Sequence, residues 1–245
     1  EFRRVLFRSL LFVTNGLTSN QAMRSKPEFD ISKDLVAISP VFEGIFGLYV
    51  NPNVPAKTLQ EFIAYVKANP GKVNYGTTGA GSITHLAGAW LADATGTKLT
   101  FVHYKGSAAA ELDLIAGRID SSPKGFVSAF PQMKTGKLRA IAIITNERTP
   151  LAPGLRTVEE EGPAFAGYNY PSWVGLVTTG GTPRDIVDKL HQGMNKAIRL
   201  PKAMAVWDSQ GTVPVGMGPD EFRKRLQYEE GVWRKLVKDN NIVAE

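Results

Sequence analysis

Apolar positions along this chain fall into short runs that switch repeatedly between strand and helix periodicity. Leu10–Thr14 reads as a strand that stops at the turn dipeptide Asn15-Gly16, and Ile45–Val50 as a second, closed by Asn51-Pro-Asn-Val-Pro55. Thr58-Leu-Gln-Glu61 has the spacing of a capping box. Phe62, Ile63 and Val66 then share one helical face until Asn69-Pro-Gly71 stops it. A strand over Val73–Tyr75 is predicted next, then a helix carrying Ile83, Leu86, Ala87, Trp90 and Leu91 that ends before Gly96. Leu99–Val102 is a further strand. The helix Ala108–Ala116 comes after it, with Leu112 and Ile115 inward and Gly117 at its end. Leu138–Ile144 is apolar almost throughout, as in a strand covered on both faces. Thr157-Val-Glu-Glu160 caps a short helix and Trp173–Val177 forms a strand. Thr182-Pro183 reads as a cap and N1 proline for a helix through Ile186, Leu190, Met194 and Ile198. Pro219 opens a last helix with Phe222, Leu226, Trp233, Leu236 and Val237.

This alternation predicts α/β layers with mostly parallel sheets, in which ligands sit beyond the strand C-termini. Two strand–loop–helix junctions occupy such ends, in Thr77–Ser82 and Tyr104–Ser107. The stretch Val73-Asn-Tyr-Gly-Thr-Thr-Gly-Ala-Gly-Ser-Ile-Thr-His85 is the most distinctive. Small and hydroxyl residues there run directly into an amphipathic helix, whose first amides have no helical acceptor and can meet an anion. A glycine-rich turn serves equally where the chain only needs positive φ. No Walker-type P-loop, complete G-x-G-x-x-G or G-x-S-x-G elbow is present.

Composition narrows the chemistry. At 245 residues, with 43% apolar and 21% charged positions, the chain is an ordinary globular protein of one large domain or two small ones. The net charge of +6 comes from Lys and Arg scattered among Asp and Glu, not from a basic run, so no nucleic-acid partner is expected. Cysteine is absent and the three histidines have no metal-ligand spacing, so neither a metal nor another cofactor is expected. No apolar run reaches the ~18–20 residues of a membrane span, so no direct membrane insertion is expected. Glu1-Phe-Arg-Arg-Val-Leu-Phe-Arg-Ser9 lacks a cap, turn or period linking it to the strand at Leu10. We read residues 1–9 as a foreign or adaptor-like segment, the natural chain beginning near Leu10.

A series of short motifs then points to a family. They are Val54-Pro-Ala-Lys-Thr58, Ala68-Asn-Pro-Gly-Lys72, Asn74-Tyr-Gly-Thr-Thr-Gly79, Thr84-His-Leu-Ala-Gly88, Tyr104-Lys-Gly106, Gly136-Lys-Leu-Arg-Ala140, Ser172-Trp-Val-Gly175 and Gly181-Thr-Pro183. In order and content the chain resembles the Bug/TctC family, the extracytoplasmic solute receptors of tripartite tricarboxylate transporters. The resemblance implies an α/β, two-lobed periplasmic-binding-protein-like (type II) fold with a carboxylate held in an interlobe cleft. Residues 49–170 would form one lobe, and 10–48 plus 171–245 a remnant of the other. A first strand–helix–strand block would be missing, together with a Pro/Gly-rich loop and a signal peptide ahead of it; exposed apolar surface is then expected around Leu10–Val13.

The resemblance also implies site residues. Thr78, Gly79, Gly81 and Ser82 would offer N–H and hydroxyl donors to one ligand carboxylate. Tyr104, Lys105 and Gly106 match a second cleft loop, and Asn15 and Gly16 stand where the opposite lobe's Thr/Gly loop faces the ligand. A family Asp-Asn pair aligns with Lys124-Gly125. That exchange would favour a polycarboxylate without an amino group, unless Lys124 merely faces solvent. His85 would bond the ligand or cap local carbonyls, whereas Trp173 and Tyr170 are read as packing residues. The implied function is a periplasmic receptor that hands a di- or tricarboxylate, or a related organic acid, to membrane permease subunits, with no catalytic residue. The alternatives are a transferase-like α/β enzyme using the glycine loop for an anionic or phosphorylated substrate, and a receptor that serves a signalling partner.

Overall fold

In the computed structural model the described residues are 9–24, 29–145, 147–149, 152–170, 172–210 and 212–239. The segment read as foreign therefore lies outside them except for Ser9. The chain divides into two compact units: one takes the chain up to Gly44 and again Ser172–Val237, the other Ile45–Pro171.

The first unit contains β1 (Leu10–Thr14), α1 (Gly16–Met23), α2 (Ile31–Asp34) and β2 (Leu35–Gly44). After the second unit it resumes with β8 (Ser172–Thr179), α7 (Arg184–Ala197), α8 (Pro201–Gln210), β9 (Thr212–Pro214) and α9 (Pro219–Asp239). Its sheet has the order β1-β8-β2-β9, and every pairing is antiparallel. Alternation along β8 sends Trp173 and Val177 to one face, against Phe222 and Leu226 of α9, and Leu176 to the other, against Val187 of α7. Gly175 is required here: a β-carbon would stand 2.5 Å from Phe222 Cζ. Leu10, Leu11 and Phe12 on β1 are exposed, whereas Val13 is buried.

The intervening strands and helices are β3 (Phe46–Val50), α3 (Leu59–Ala68), β4 (Asn74–Thr77), α4 (Ile83–Thr95), β5 (Thr100–His103), α5 (Ser107–Ile115), β6 (Ser121–Gly125), α6 (Phe126–Lys134) and β7 (Arg139–Ile143). They build the second unit around a sheet of order β5-β4-β6-β3-β7. Tyr49, Leu114, Ile119, Phe126 and Ile143 fill one side of it. Across the sheet, Tyr168 donates to Ala87 O of α4 at 2.8 Å and accepts from Tyr170 at 2.9 Å, so Tyr170 packs, as does the fully buried Trp173.

The expectation of mostly parallel sheets is corrected. Among the described residues five strand pairings are antiparallel and only β4/β5 and β4/β6 are parallel. The strands that begin where the chain passes between units, β3 and β8, each insert inside a sheet and run against both neighbours. Helical crossovers impose parallel sense only on the strands they join.

Local signals performed unevenly. Thr58 Oγ1 accepts from Glu61 N at 3.2 Å, but Glu61 reaches back to Lys57 N (2.6 Å), one residue earlier than the box pattern requires. Thr157 and Glu160 form the reciprocal box, at 2.7 and 3.3 Å. Leu112 is 68% exposed, because α5 turns Ala110 and Leu114 inward instead. Ile186 is likewise exposed on α7, and Thr182 Oγ1 donates to Thr179 O rather than capping that helix. β1 stops at Thr14 as read; Asn15 is the turn residue at the N-cap of α1, which begins at Gly16. Residues 35–44 carry no strand pattern because Ser39-Pro40 interrupts the period; β2 accommodates the pair with two register shifts.

Candidate functional site

Adjacent strands β5, β4 and β6 run in parallel, so their C-terminal ends fall on one edge of the second unit's sheet. From those three ends the chain enters α4, α5 and α6. Three helix N-termini thus share one edge, each with first-turn amides that the helix cannot satisfy. Here the fold brings together Thr78, Gly79, Gly81, Ser82 and His85 after β4, Tyr104, Lys105 and Gly106 after β5, and Lys124 at the end of β6. Asn15 and Gly16 belong to the first unit.

The β4–α4 loop is wired differently from its sequence reading. The amides of Thr78, Gly79, Gly81 and Ser82 all have acceptors inside the loop: Thr84 Oγ1 (2.8 Å), Thr77 Oγ1 (3.3 Å), His85 Nδ1 (3.0 Å) and Gly79 O (3.1 Å). Those four N–H groups are therefore not open donors. Among the described residues no acceptor meets the amides of Ala80, Ile83 and Thr84 or, in the next loop, those of Lys105, Gly106 and Ser107. Gly81 (φ +69°) and Gly106 (φ +120°) supply backbone angles that side chains resist.

Thr84, not singled out from the sequence, is the hub. Its buried hydroxyl accepts from Thr78 N and also meets Thr78 Oγ1 at 3.0 Å and Ser82 Oγ at 2.8 Å. The signal lay in a hydroxyl residue two positions into the cap of α4, where side chains turn back onto the loop.

His85 caps no carbonyl; it accepts from Gly81 N. Burial, then the neighbouring His103, lowers its pKa to about 4. A ring that accepts at Nδ1 carries its proton on Nε2, so near neutral pH His85 is an uncharged donor. Its ring lies edge-on to Phe101 and His103, and His103 Nδ1 bonds Thr77 Oγ1 at 2.7 Å. Because the folded state disfavours the proton, this stability is fully present above the ordinary histidine pKa of 6.5. It is lost as pH falls from there through about 4. We expect on the order of 1–2 kcal/mol, discounted for partial exposure, to disappear between pH 7 and 4.5. Thermal melts of His85→Gln should show a smaller drop than wild type over that range; equal drops would refute the assignment.

Tyr104 is engaged rather than open. Its hydroxyl donates to Asp113 Oδ2 at 2.8 Å, its amide bonds Thr77 O at 3.0 Å, and burial followed by the Asp113 contact pushes its pKa up to about 12. Lys105 is exposed and forms no ion pair among the described residues. Lys124 is neither solvent-facing nor unmatched: it is buried and paired with Glu111 of α5.

In the first unit Asn15 is buried and its carbonyl accepts from Thr18 Oγ1 (2.9 Å) and Ser19 N (3.2 Å). Gly16 lines a cavity of about 300 Å³ with Thr14, Asn20, Gln21 and Arg24. Gln21 Oε1 is buried there without a hydrogen-bond partner.

A family model described as the tripartite tricarboxylate transporter family receptor matches residues 8–242. The chain belongs to that family. A curated relative from Cupriavidus necator, a UPF0065 protein, is 36% identical over 219 residues, covering 86% of this chain and 65% of its own length. Two further curated relatives, UPF0065 proteins from Agrobacterium vitis and Pseudomonas sp. strain P51, are matched over 59% and 70% of their length. A solved periplasmic transporter is 34% identical with a TM-score of 0.84, covering 96% of this chain and 78% of that one. MatC of Rhodopseudomonas palustris, solved with bound malate, is 26% identical with a TM-score of 0.80, covering 93% and 78%. A second R. palustris protein, solved with adipate, is 26% identical with a TM-score of 0.82, covering 96% and 78%. Family and fold are those of periplasmic solute receptors, which hold a ligand without transforming it. The transferase-like alternative is thereby set aside.

Proposed function

We propose that this receptor binds a small organic carboxylate outside the cytoplasm and presents it to the membrane permease subunits of a tripartite tricarboxylate transporter. The observation that carries the reading is the shared edge of the second unit. Unsatisfied amides at the starts of α4 and α5, a neutral His85 donor and the exposed Lys105 ammonium are all complements to a carboxylate. The solved relatives hold malate and adipate, both organic carboxylates, which supports a carboxylate as the ligand.

Thermal melts against a panel of malate, adipate, succinate, citrate and butyrate test this. A ligand at about 100 times its Kd contributes about 2.7 kcal/mol, hence a Tm rise of roughly 5–10 °C for a chain of this size. The stabilising acid should be recovered unchanged. No shift with any carboxylate, or conversion of the one that stabilises, would refute the proposal.

A further inference from the structure

The Lys124–Glu111 pair bears on which carboxylates this edge accepts. Ser122 of β6 donates to Gly76 O at 3.0 Å, which holds β6 against β4 just before the glycine loop. Extending the Tyr75↔Ser121 register along both strands brings Lys124 level with Thr78, the first residue of that loop. Glu111 lies one turn into α5, the helix that begins at Gly106 and Ser107. The two side chains are only 9% and 20% exposed, so their charges are matched largely out of water. Of the other ionic groups at this edge, Asp113 is matched by Arg118 and Tyr104, His85 is neutral, and Lys105 stands unmatched among the described residues.

We infer that Glu111 is a specificity-determining residue: by holding the Lys124 ammonium it leaves this edge with one unmatched side-chain cation, and so with the charge complement of one ligand carboxylate rather than two. The inference rests on the receptor reading above. A second carboxylate near Lys124 would either crowd Glu111 or displace it, leaving a mostly buried carboxylate without its counter-charge; both are penalised. Glu111→Gln keeps the side-chain shape and removes the charge. The Lys124 ammonium is then left in search of an anion, and a ligand carboxylate is the partner at hand.

Calorimetric titration with succinate and butyrate, acids of one chain length with two carboxylates and one, measures this selectivity. Glu111→Gln should raise affinity for succinate relative to butyrate by about tenfold or more over wild type. The double variant Glu111→Gln/Lys124→Met should return the ratio to the wild-type value. Glu111→Ala releases Lys124 by a second route, so the measurement stands if the Gln variant misfolds. A ratio unchanged within about twofold in the folded single variants, or a gain that persists without Lys124, overturns the inference. Failure of wild type to bind any carboxylate of the thermal panel overturns the receptor reading instead, and is seen before a variant is made.

Discussion

Arg225→Ala should lower the stability of the first unit by about 3–5 kcal/mol, the cost of leaving buried carboxylates without their cation. Arg225 of α9 binds Glu43 of β2 and, through Nε at 2.9 Å, Glu229 one turn further along its own helix. Its guanidinium also lies over the Trp173 ring, 5.7 Å from the centroid. Glu229 additionally accepts from Trp173 Nε1 (2.9 Å) and Thr18 Oγ1 (3.2 Å), so one carboxylate ties α9 to β8 and α1. Desolvation raises the Glu229 pKa, opposed by Arg225 and by the Trp173 and Thr18 bonds. Without Arg225, nothing ionic offsets that desolvation. Urea unfolding at pH 7 should show the full loss. The loss should shrink as pH falls toward 5, because the folded variant then takes up a proton on Glu229 more readily than the unfolded chain does. A penalty below about 1 kcal/mol, or one that grows on acidification, would mean that water already serves these carboxylates.

Thr84→Val should both destabilise the second unit and weaken carboxylate binding. Valine has nearly the volume of threonine but no hydroxyl, so the change orphans the Thr78 amide and cuts the contacts to Thr78 and Ser82. A buried donor left unmatched costs about 1–3 kcal/mol. The Ile83 and Thr84 amides that are open to an anion belong to the same turn, and loosening it should cost at least tenfold in affinity. Thr84→Ser keeps the hydroxyl and should recover most of both losses. If Thr84→Val melts earlier yet binds as wild type does, the network is a structural latch, and the ligand site lies elsewhere.

Much of the site was legible in the residue order because its features are local. A glycine in αL, a hydroxyl at a helix start and an amphipathic stripe are each set by residues within about four positions. The α4 junction and the Thr157–Glu160 box follow from such spacings, and the family motifs placed the loops. Legibility failed where one pattern admits two outcomes. Leu112 and Leu114 both continue an apolar stripe on α5, and only the neighbouring sheet decides that Leu114 turns inward. Ser39-Pro40 breaks the alternation of β2, and only a partner strand able to absorb two register shifts makes a strand there.

By itself, the sequence determined the α/β alternation, the family, the absence of thiol chemistry and the location of the glycine corners. All of these rest on residue identity or on contacts between near neighbours in the chain. Only tertiary structure decided that β3 and β8 run against their neighbours, that Thr84 and His85 consume the donors expected to face a ligand, and that Glu111 claims Lys124. Strand sense, hydrogen-bond allocation and ion pairing are choices among competing partners. The winner is the group that folding brings within about 3 Å, which spacing along the chain does not specify.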